Sequence, residues 1–352
     1  MKLIEYQDHL RRQDLPEDRI DQRMAIVRDF VTALADPATG DIPATAGKEA
    51  VRTLARRLVA EGRNTVANLS ALADYTDWLG HRRLWVALTE VMDCHNALEV
   101  LASEVETRLG RRMRDGIFRE PLPPLGAGEE ERCAYTRAMM ERMAELISPE
   151  EARLAWYQVQ HGIPAAAWQA GDAADREKFR RCGDIDAFFA LKRQERDTLL
   201  TRLRDEHKLW YTVEITDAVL AFIKNDPEME VGKREGDKVF VSKIPYNAVR
   251  YLQASDPAMK RYFACHCPLA REAILQGHPI SPAICHCSLG FASHYLAGLD
   301  REFTGEVLES AVKGDTRCRF VFHLGQKTDG TTPPDPTARR PSDAAPRNQS
   351  TG

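Results

Sequence analysis

Hydrophobic residues recur at three- and four-residue steps through the first hundred residues of the chain. Ile20, Met24 and Val27 belong to one such series, and a second series runs over 51–59 after a break rich in Pro, Gly and Thr. This period places the apolar side chains on one face of an α-helix. Since further series follow up to about residue 109, the pattern predicts a bundle of four or more short antiparallel helices.

The middle of the chain is predicted to be helical and heavily charged. The run 121–128 is dense in proline and glycine and cannot continue a helix, so we interpret it as a linker. From 129 to 207, apolar positions supply one packing stripe, and the charged positions between them are typical of a solvated helix face.

Strand patterns appear only towards the end of the chain. Residues 231–244 predict a β-hairpin that turns at Gly236 and Asp237, and strand character returns over 305–324. Short helices are predicted between them, over 268–275 and 291–299. The fold class is therefore predicted to be α+β. The predicted regions are a helical bundle at 1–120, a linker and charged helical region at 121–209, a smaller cysteine-rich α/β domain at 210–324 and a disordered tail at 325–352.

The net charge and the apolar content of the chain indicate which partners and which compartment to expect. A formal net charge of -4 is not typical of a nucleic-acid-binding protein, although it leaves room for a local basic patch, so we expect no nucleic-acid partner. We find no apolar run of the length of a membrane span and no signal peptide, so we expect a cytoplasmic protein without membrane contact. In that compartment clustered cysteines are more typical of metal ligands than of disulfides. The sequence sets no oligomeric state.

Five of the eight cysteines fall between residues 265 and 318. Four of them form two Cys-His-Cys triplets, and a Cys-x-Cys pair on an extended segment would place both sulfurs on one face. Thiolates in such a cluster favour zinc, although buried reduced cysteines or a redox dithiol are alternatives. We therefore predict bound Zn²⁺. The candidate ligands are Cys265, Cys267, Cys285, Cys287 and Cys318.

Other polar residues near the triplets could surround the metal or contact a ligand. Histidines between two cysteines are expected to support the site rather than bind the metal, and an Arg-Glu step could bind a carboxylate but is more often structural. The general bases considered for a catalytic metal are Glu272, His278, His294 and Asp315, and no spacing selects one, so the catalytic residues are unknown. The candidates for supporting roles or ligand contact are His266, His286, Arg271, Glu272, His278, His294 and Glu309.

The stretch 285–320 resembles the C-terminal half of the 4-vinyl-reductase-type domain. The resemblance rests on Cys285, the run Gly290-Phe291-Ala292-Ser293, the Gly314-Asp315 step and Cys318. That domain is a small α/β ligand-binding fold of bacteriochlorophyll-synthesis accessory proteins and of bacterial sensors of aromatic compounds.

The resemblance implies a zinc site, but this chain departs from the family's ligand pattern. Cys285 and Cys318 match the first and last ligands of zinc-containing members, whereas Ser310 replaces the third ligand and Val307 stands where a Glu is expected. The additional cysteines of this chain could supply the missing thiolates.

Two further resemblances carry no function. Residues 246–324, with Cys-His-Cys-Pro and Cys-His-Cys-Ser motifs, resemble an uncharacterised bacterial family, and 51–79 resembles the helical core-binding module of tyrosine recombinases.

Three functions follow as hypotheses. The first is a zinc-binding protein that binds a small apolar molecule as a sensor or accessory protein, as the resemblance implies. The second is a zinc- or thiolate-dependent enzyme, a hydrolase or lyase, so enzymatic activity stays open. The third is a DNA-binding regulator that uses the recombinase-like helices, which would require a coherent basic face.

Overall fold

The computed structural model describes residues 2–36, 38–43 and 45–327. It combines many helices with two small antiparallel sheets, which confirms the predicted α+β class. No helix in these ranges combines the length and apolar character needed to cross a bilayer. The chain divides into two compact units. Unit 1 comprises 1–95 and 120–135, and unit 2 comprises 96–119 and 136–352. One break of this division, between 119 and 120, lies next to the predicted boundary at 120, and the others lie at 95/96 and 135/136.

Unit 1 is helical, as the apolar period indicates. In its second helix Ile20, Met24 and Val27 are buried, which matches the predicted face. The helix predicted to open at Asn64-Thr65 does so, because the Thr65 side chain caps it by accepting the Asn68 backbone N–H at 3.2 Å. The helices of unit 1 are α1 (Lys2–Arg11), α2 (Glu17–Leu34), α3 (Lys48–Ala60), α4 (Val66–Trp78) and α5 (Arg82–Met92), with the start of α8 (Glu129–Leu146).

Unit 2 contains the other helices and all described strands. Its helices are α6 (Ala97–Leu109), α7 (Arg111–Ile117), the rest of α8, α9 (Pro149–Val159), α10 (Gln169–Cys182), α11 (Ile185–Asp205), α12 (Asp217–Asn225), α13 (Ala248–Gln253), α14 (Pro257–Ala264), α15 (Arg271–Gln276) and α16 (His286–Ala292). Its strands are β1 (Leu209–Trp210), β2 (Val213–Glu214), β3 (Lys233–Glu235), β4 (Lys238–Ser242), β5 (Arg301–Glu309) and β6 (Arg319–Lys327).

The main sheet has the strand order β3-β4-β6-β5, and all neighbours are antiparallel. The predicted hairpin is β3–β4, and Gly236 adopts the left-handed backbone (φ 64°) that its tight turn requires. Strand β6 continues to Lys327, so 325–327 belong to the sheet and the rest of the predicted tail lies outside the described residues.

One face of this sheet forms the core of unit 2. Val239, Val241, Phe320 and Phe322 alternate along β4 and β6, and all four are fully buried. They pack with α11 and with the α16 region through Phe188, Phe189, Leu289, Ala292 and Leu296.

The short helices differ from their predicted bounds. Helix α15 begins at Arg271 rather than at 268, and α16 begins at His286 rather than at 291. Ser281 caps a 3-10 turn over Pro282–Cys285 by accepting the Ala283 N–H, and this turn leads directly into α16. The prediction that the second Cys-His-Cys triplet is extended is therefore wrong.

Replacing Ser148 with alanine is expected to destabilise unit 2 by ~1 kcal/mol. The Ser148 hydroxyl accepts the Glu151 N–H at 3.2 Å, and the Glu151 carboxylate accepts the Ser148 N–H at 2.8 Å at the start of α9. Urea denaturation followed by circular dichroism measures the change. Ser148→Asp, which keeps an acceptor at this position, should retain most of the stability, and an equal loss in both variants would contradict the capping role.

Candidate functional site

Four of the five clustered thiols belong to one neighbourhood in unit 2. Burial raises the pKa of the Cys265 thiol, and the adjacent Cys267 and Cys318 thiols act in the same direction. Burial also raises the pKa of Cys285 well above its ordinary value, with further contributions from Cys318, Cys265 and Cys267. These four residues come from the loop after α14, the turn before α16 and the segment before β6. We call Cys265, Cys267, Cys285 and Cys318 the thiol cluster.

Hydrogen-bond donors face the sulfurs of the cluster. The Ser310 hydroxyl opposes the rise in the pKa of Cys285, and the backbone N–H groups of Cys267 and Ala311 do the same for the pKa values of Cys265 and Cys318. Such donors stabilise a thiolate relative to a thiol. Ser310 is fully buried, and it occupies the position where the resemblance places a third ligand. Its hydroxyl therefore acts on the Cys285 sulfur.

Cys287 has a different neighbour. Its Sγ accepts the backbone N–H of His161 at 3.0 Å. Cys285 ends the 3-10 turn with a helical backbone and Cys287 lies in the first turn of α16, and side chains two positions apart on a helical backbone point to different sides. The predicted convergence of both sulfurs of this triplet on one face thus fails, because it assumed an extended backbone.

The described side chains that could bind a metal are not close enough together to form a complete metal site. Among the residues that the structure describes, no three His, Cys, Asp or Glu side chains are placed to hold one ion. Four soft donors in one neighbourhood fit Zn²⁺ by their chemistry. Binding would therefore have to draw the sulfurs together and displace their protons.

The two histidines of the Cys-His-Cys triplets lie next to backbone carbonyl groups. His266 Nε2 lies 2.7 Å from the Ile244 carbonyl oxygen, and burial lowers the pKa of this imidazole well below its ordinary value. Burial lowers the pKa of His286 to about 4, and its Nδ1 lies 3.1 Å from the Ala283 carbonyl oxygen. Both rings are therefore neutral near pH 7, and each lies next to a backbone carbonyl.

The two other histidines are engaged away from the cluster. His294 lies with Nδ1 3.2 Å from Asp172 and Nε2 3.0 Å from Gln160, so both ring nitrogens have partners. His278 Nδ1 lies 2.9 Å from an Arg137 guanidinium nitrogen. With these partners, neither histidine is placed as a general base that faces the thiols.

The remaining candidates also have identified roles or places. Glu309 makes two hydrogen bonds of 2.9 Å with Arg317, which lowers the pKa of its carboxyl group. Arg271 is buried with its guanidinium 3.9 Å from the Tyr246 ring centre. Glu272 is partly exposed on α15, and Asp315 accepts the Ser310 N–H at 2.9 Å within its turn.

A second group of polar residues, which the sequence motifs do not single out, lies beside the cluster. His161 follows α9, and its Nε2 lies 3.3 Å from Ser288 Oγ and 3.4 Å from Lys243 Nζ. Glu230 accepts the Ile244 N–H at 3.0 Å and a hydrogen bond from the Tyr295 hydroxyl. Burial raises the pKa of Glu230 and lowers the pKa of His161. Perturbed groups of this kind concentrate at functional sites.

These residues come from segments far apart in the chain. His161 and Ser288 are separated by 127 positions, so no local spacing connects them. Lys243 lies in the run Lys243-Ile244-Pro245-Tyr246, which belongs to the resemblance to the uncharacterised family. That run is the one feature of the sequence that draws attention to a member of this group. Comparison with protein-family models, with curated proteins and with solved structures finds no match to this chain.

Proposed function

We propose that unit 2 is a small-molecule-binding module, of sensor or accessory type, whose thiol cluster binds one zinc ion. The observation that carries the proposal is the neighbourhood of four thiols from three separate chain segments. A single ion that joins these segments would fix α14, α16 and β6 relative to one another. Zinc sites of this kind contribute directly to folding free energy.

Hydrogen bonding at the cluster supports a thiolate role. Buried thiols that served only as small apolar groups would need no donors, yet Ser310 and two backbone N–H groups favour ionised sulfur here. Donors of this type orient metal ligands and tune their basicity. The zinc would hold the wall of the binding site rather than react.

The adjoining polar group supports the binding of a small molecule. His161 and Ser288 are surrounded by protein but keep part of their surface accessible, as does the Phe291 ring that contacts His161 edge-on at 5.1 Å between ring centres. A mixed aromatic and polar lining with few polar groups is typical of small-molecule sites. We also propose that this region is a ligand-binding domain of the 4-vinyl-reductase-like type.

Zinc content tests the proposal. Protein purified without oxygen and without a histidine tag should contain about one zinc per chain by elemental analysis, and Cys285→Ser and Cys318→Ser should each lose most of it. Cys287→Ser should keep the metal, because the Cys287 sulfur faces His161.

A cysteine outside the cluster provides the matched control. Cys182 at the end of α10 packs against the core of unit 2, so Cys182→Ser should keep its zinc. Wild-type protein without metal, in which thiols of the cluster form a disulfide on exposure to air, would replace the zinc proposal by a redox dithiol.

The enzyme hypothesis has one observation in its favour. Glu230 is buried with a raised pKa and contacts the Tyr295 hydroxyl, as a general acid would require. If unit 2 is a hydrolase or lyase, Glu230→Gln should abolish turnover in a substrate screen while zinc content is unchanged. Equal turnover in wild type and variant would remove Glu230 from this role.

A further inference from the structure

Helix α10 lies on the surface of unit 2 with few apolar contacts. Each of its fourteen residues is exposed or only partly buried. Phe179 and Cys182, near its C-terminal end, pack against the core of unit 2, and the Phe179 ring meets the Phe188 ring edge-on at 5.7 Å between ring centres. Segments that bury little apolar surface open at a lower free-energy cost than the rest of a domain.

Charged side chains supply most of the attachment of α10. They connect it to α11 and to the segment between α16 and β5. The ion pairs are Lys192 with Asp175, Lys178 with Glu195 at 2.7 Å, Arg176 with Asp300 at 3.5 Å and Arg180 with Asp300 at 3.8 Å. The ring Nδ1 of His294 also lies 3.2 Å from the Asp172 carboxylate. Ion pairs at a protein surface each contribute little and weaken with salt, so this attachment breaks easily.

Left-handed backbone occurs at both ends of the segment that contains α10. Residues 160–162 have φ values of 45°, 60° and 75° before it, and Gly183 has a φ of 67° directly after it. Residues at the ends of elements absorb the backbone rotations of hinge motions. The first of these turns is fixed to unit 2, because His161 donates its backbone N–H to Cys287 Sγ at 3.0 Å. We call residues 163–182, between the two points, the strap.

The start of the strap covers the side chains of Phe291 and His294. Trp168 stacks on His294 with 4.3 Å between ring centres and meets Phe291 edge-on at 5.2 Å. The indole Nε1 of Trp168 is buried and has no hydrogen-bond partner among the described residues. Stacking therefore holds this ring at the cost of an unmade hydrogen bond, which favours its release into water.

We infer that the strap opens as a unit about the turn at Gly162 and about Gly183, and that it thereby admits the small molecule to Phe291 and His294. The opening follows from how the strap is attached, whereas its role as a gate rests on the proposed small-molecule function. Opening breaks the ion pairs of α10 and leaves the main sheet in place, since every residue of α10 is at least partly exposed.

Hydrogen exchange of the intact protein, followed by mass spectrometry of its peptides, tests the opening. Between about 20 mM and about 500 mM NaCl, surface ion pairs become largely screened, so we expect the amides of α10 to exchange about ten-fold faster at high salt and those of β4 and β6 by less than about two-fold. Asp300→Asn removes the partner of Arg176 and Arg180 and should accelerate the exchange of α10 at low salt. Asp217→Asn, which breaks the Arg204 pair between α11 and α12, is the matched control and should leave α10 unchanged.

A second variant displaces the strap without changing a charge. A Cβ atom at Gly298 would lie 2.8 Å from the carbonyl carbon of Asp175 and 2.9 Å from its oxygen, so Gly298→Ala should push α10 away and favour the open strap. Diethyl pyrocarbonate, a small reagent that modifies accessible imidazole nitrogens, measures the access gained. It should modify His294 at least about five-fold faster in Gly298→Ala than in wild type, and the exposed His207 should react equally in both.

Three results would count against the inference. The opening would be refuted if the exchange of α10 did not respond to salt or to Asp300→Asn, or if it rose only together with that of β4 and β6. Faster exchange without faster modification of His294 would refute the role as a gate. Metal content is measured in the same samples, so an opening strap in protein without zinc would refute the metal centre alone, and zinc-loaded protein whose strap stays closed would refute the strap alone.

Discussion

Gly290→Ala is expected to destabilise unit 2 by about 3 kcal/mol, at the upper end of typical overpacking costs. A Cβ atom at residue 290 would lie 1.9 Å from the Tyr157 carbonyl oxygen and 3.0 Å from its carbonyl carbon. These are backbone atoms of α9, so no side chain can rotate to relieve the clash. Helices α9 and α16 would have to separate, and this would disturb the contacts of His161 with Cys287 and Ser288.

The measurement is denaturant unfolding of Gly290→Ala beside a glycine variant without a clash. Gly171 lies in α10, where a Cβ atom would meet no other part of the chain within 4 Å, so Gly171→Ala should be neutral or stabilising by up to ~1 kcal/mol. A Gly290→Ala protein as stable as wild type would show that α9 and α16 do not approach each other so closely.

Zinc affinity is expected to fall steeply as the pH decreases. The folded, metal-free protein raises the pKa values of Cys265, Cys285 and Cys318, so these thiols are protonated near neutral pH. Each thiol must lose its proton before it binds the metal. Affinity should therefore drop roughly ten-fold per pH unit for every thiol that ionises on binding, between about pH 8 and about pH 6.

Competition with a chromophoric chelator at each pH measures this dependence. The slope counts the protons released, and Cys267→Ser should reduce it by about one if this thiol is a ligand. If the zinc affinity hardly changes over this pH range, the metal is not bound by thiols that are protonated in the metal-free protein. Such a result would indicate zinc bound mainly by carboxylates or by exposed groups.

Local signals were sufficient for much of the fold. The Thr65 cap, the apolar face of α2 and the turn of the β3–β4 hairpin at Gly236 each depend on residues within a few positions of one another. Ser281-Pro282 is a helix-start signal that precedes α16, but the Cys-His-Cys spacing favours an extended segment at the same place, and the two signals conflict.

The site was only partly predictable because its contacts are long-range. The density of cysteines is visible in the sequence itself, so all four members of the thiol cluster are among the five predicted ligands. Lys243 and His161 lie 82 positions apart, and Glu230 and Tyr295 lie 65 apart. Nothing in the local sequence distinguishes a buried lysine from a solvated one, and only the fold shows that Lys243 lies between a histidine and an aromatic ring. Likewise, the Gly290 requirement follows from the approach of α9, which no periodicity encodes.

X-ray absorption at the zinc edge decides whether the thiol cluster binds metal. The protein is purified without oxygen, and the spectrum reports the atoms bound to the zinc. We expect a shell of four sulfur atoms at about 2.3 Å, supplied by Cys265, Cys267, Cys285 and Cys318 and unchanged in Cys287→Ser. A shell dominated by nitrogen or oxygen at about 2.0–2.1 Å, or protein without zinc, would contradict the proposed metal centre.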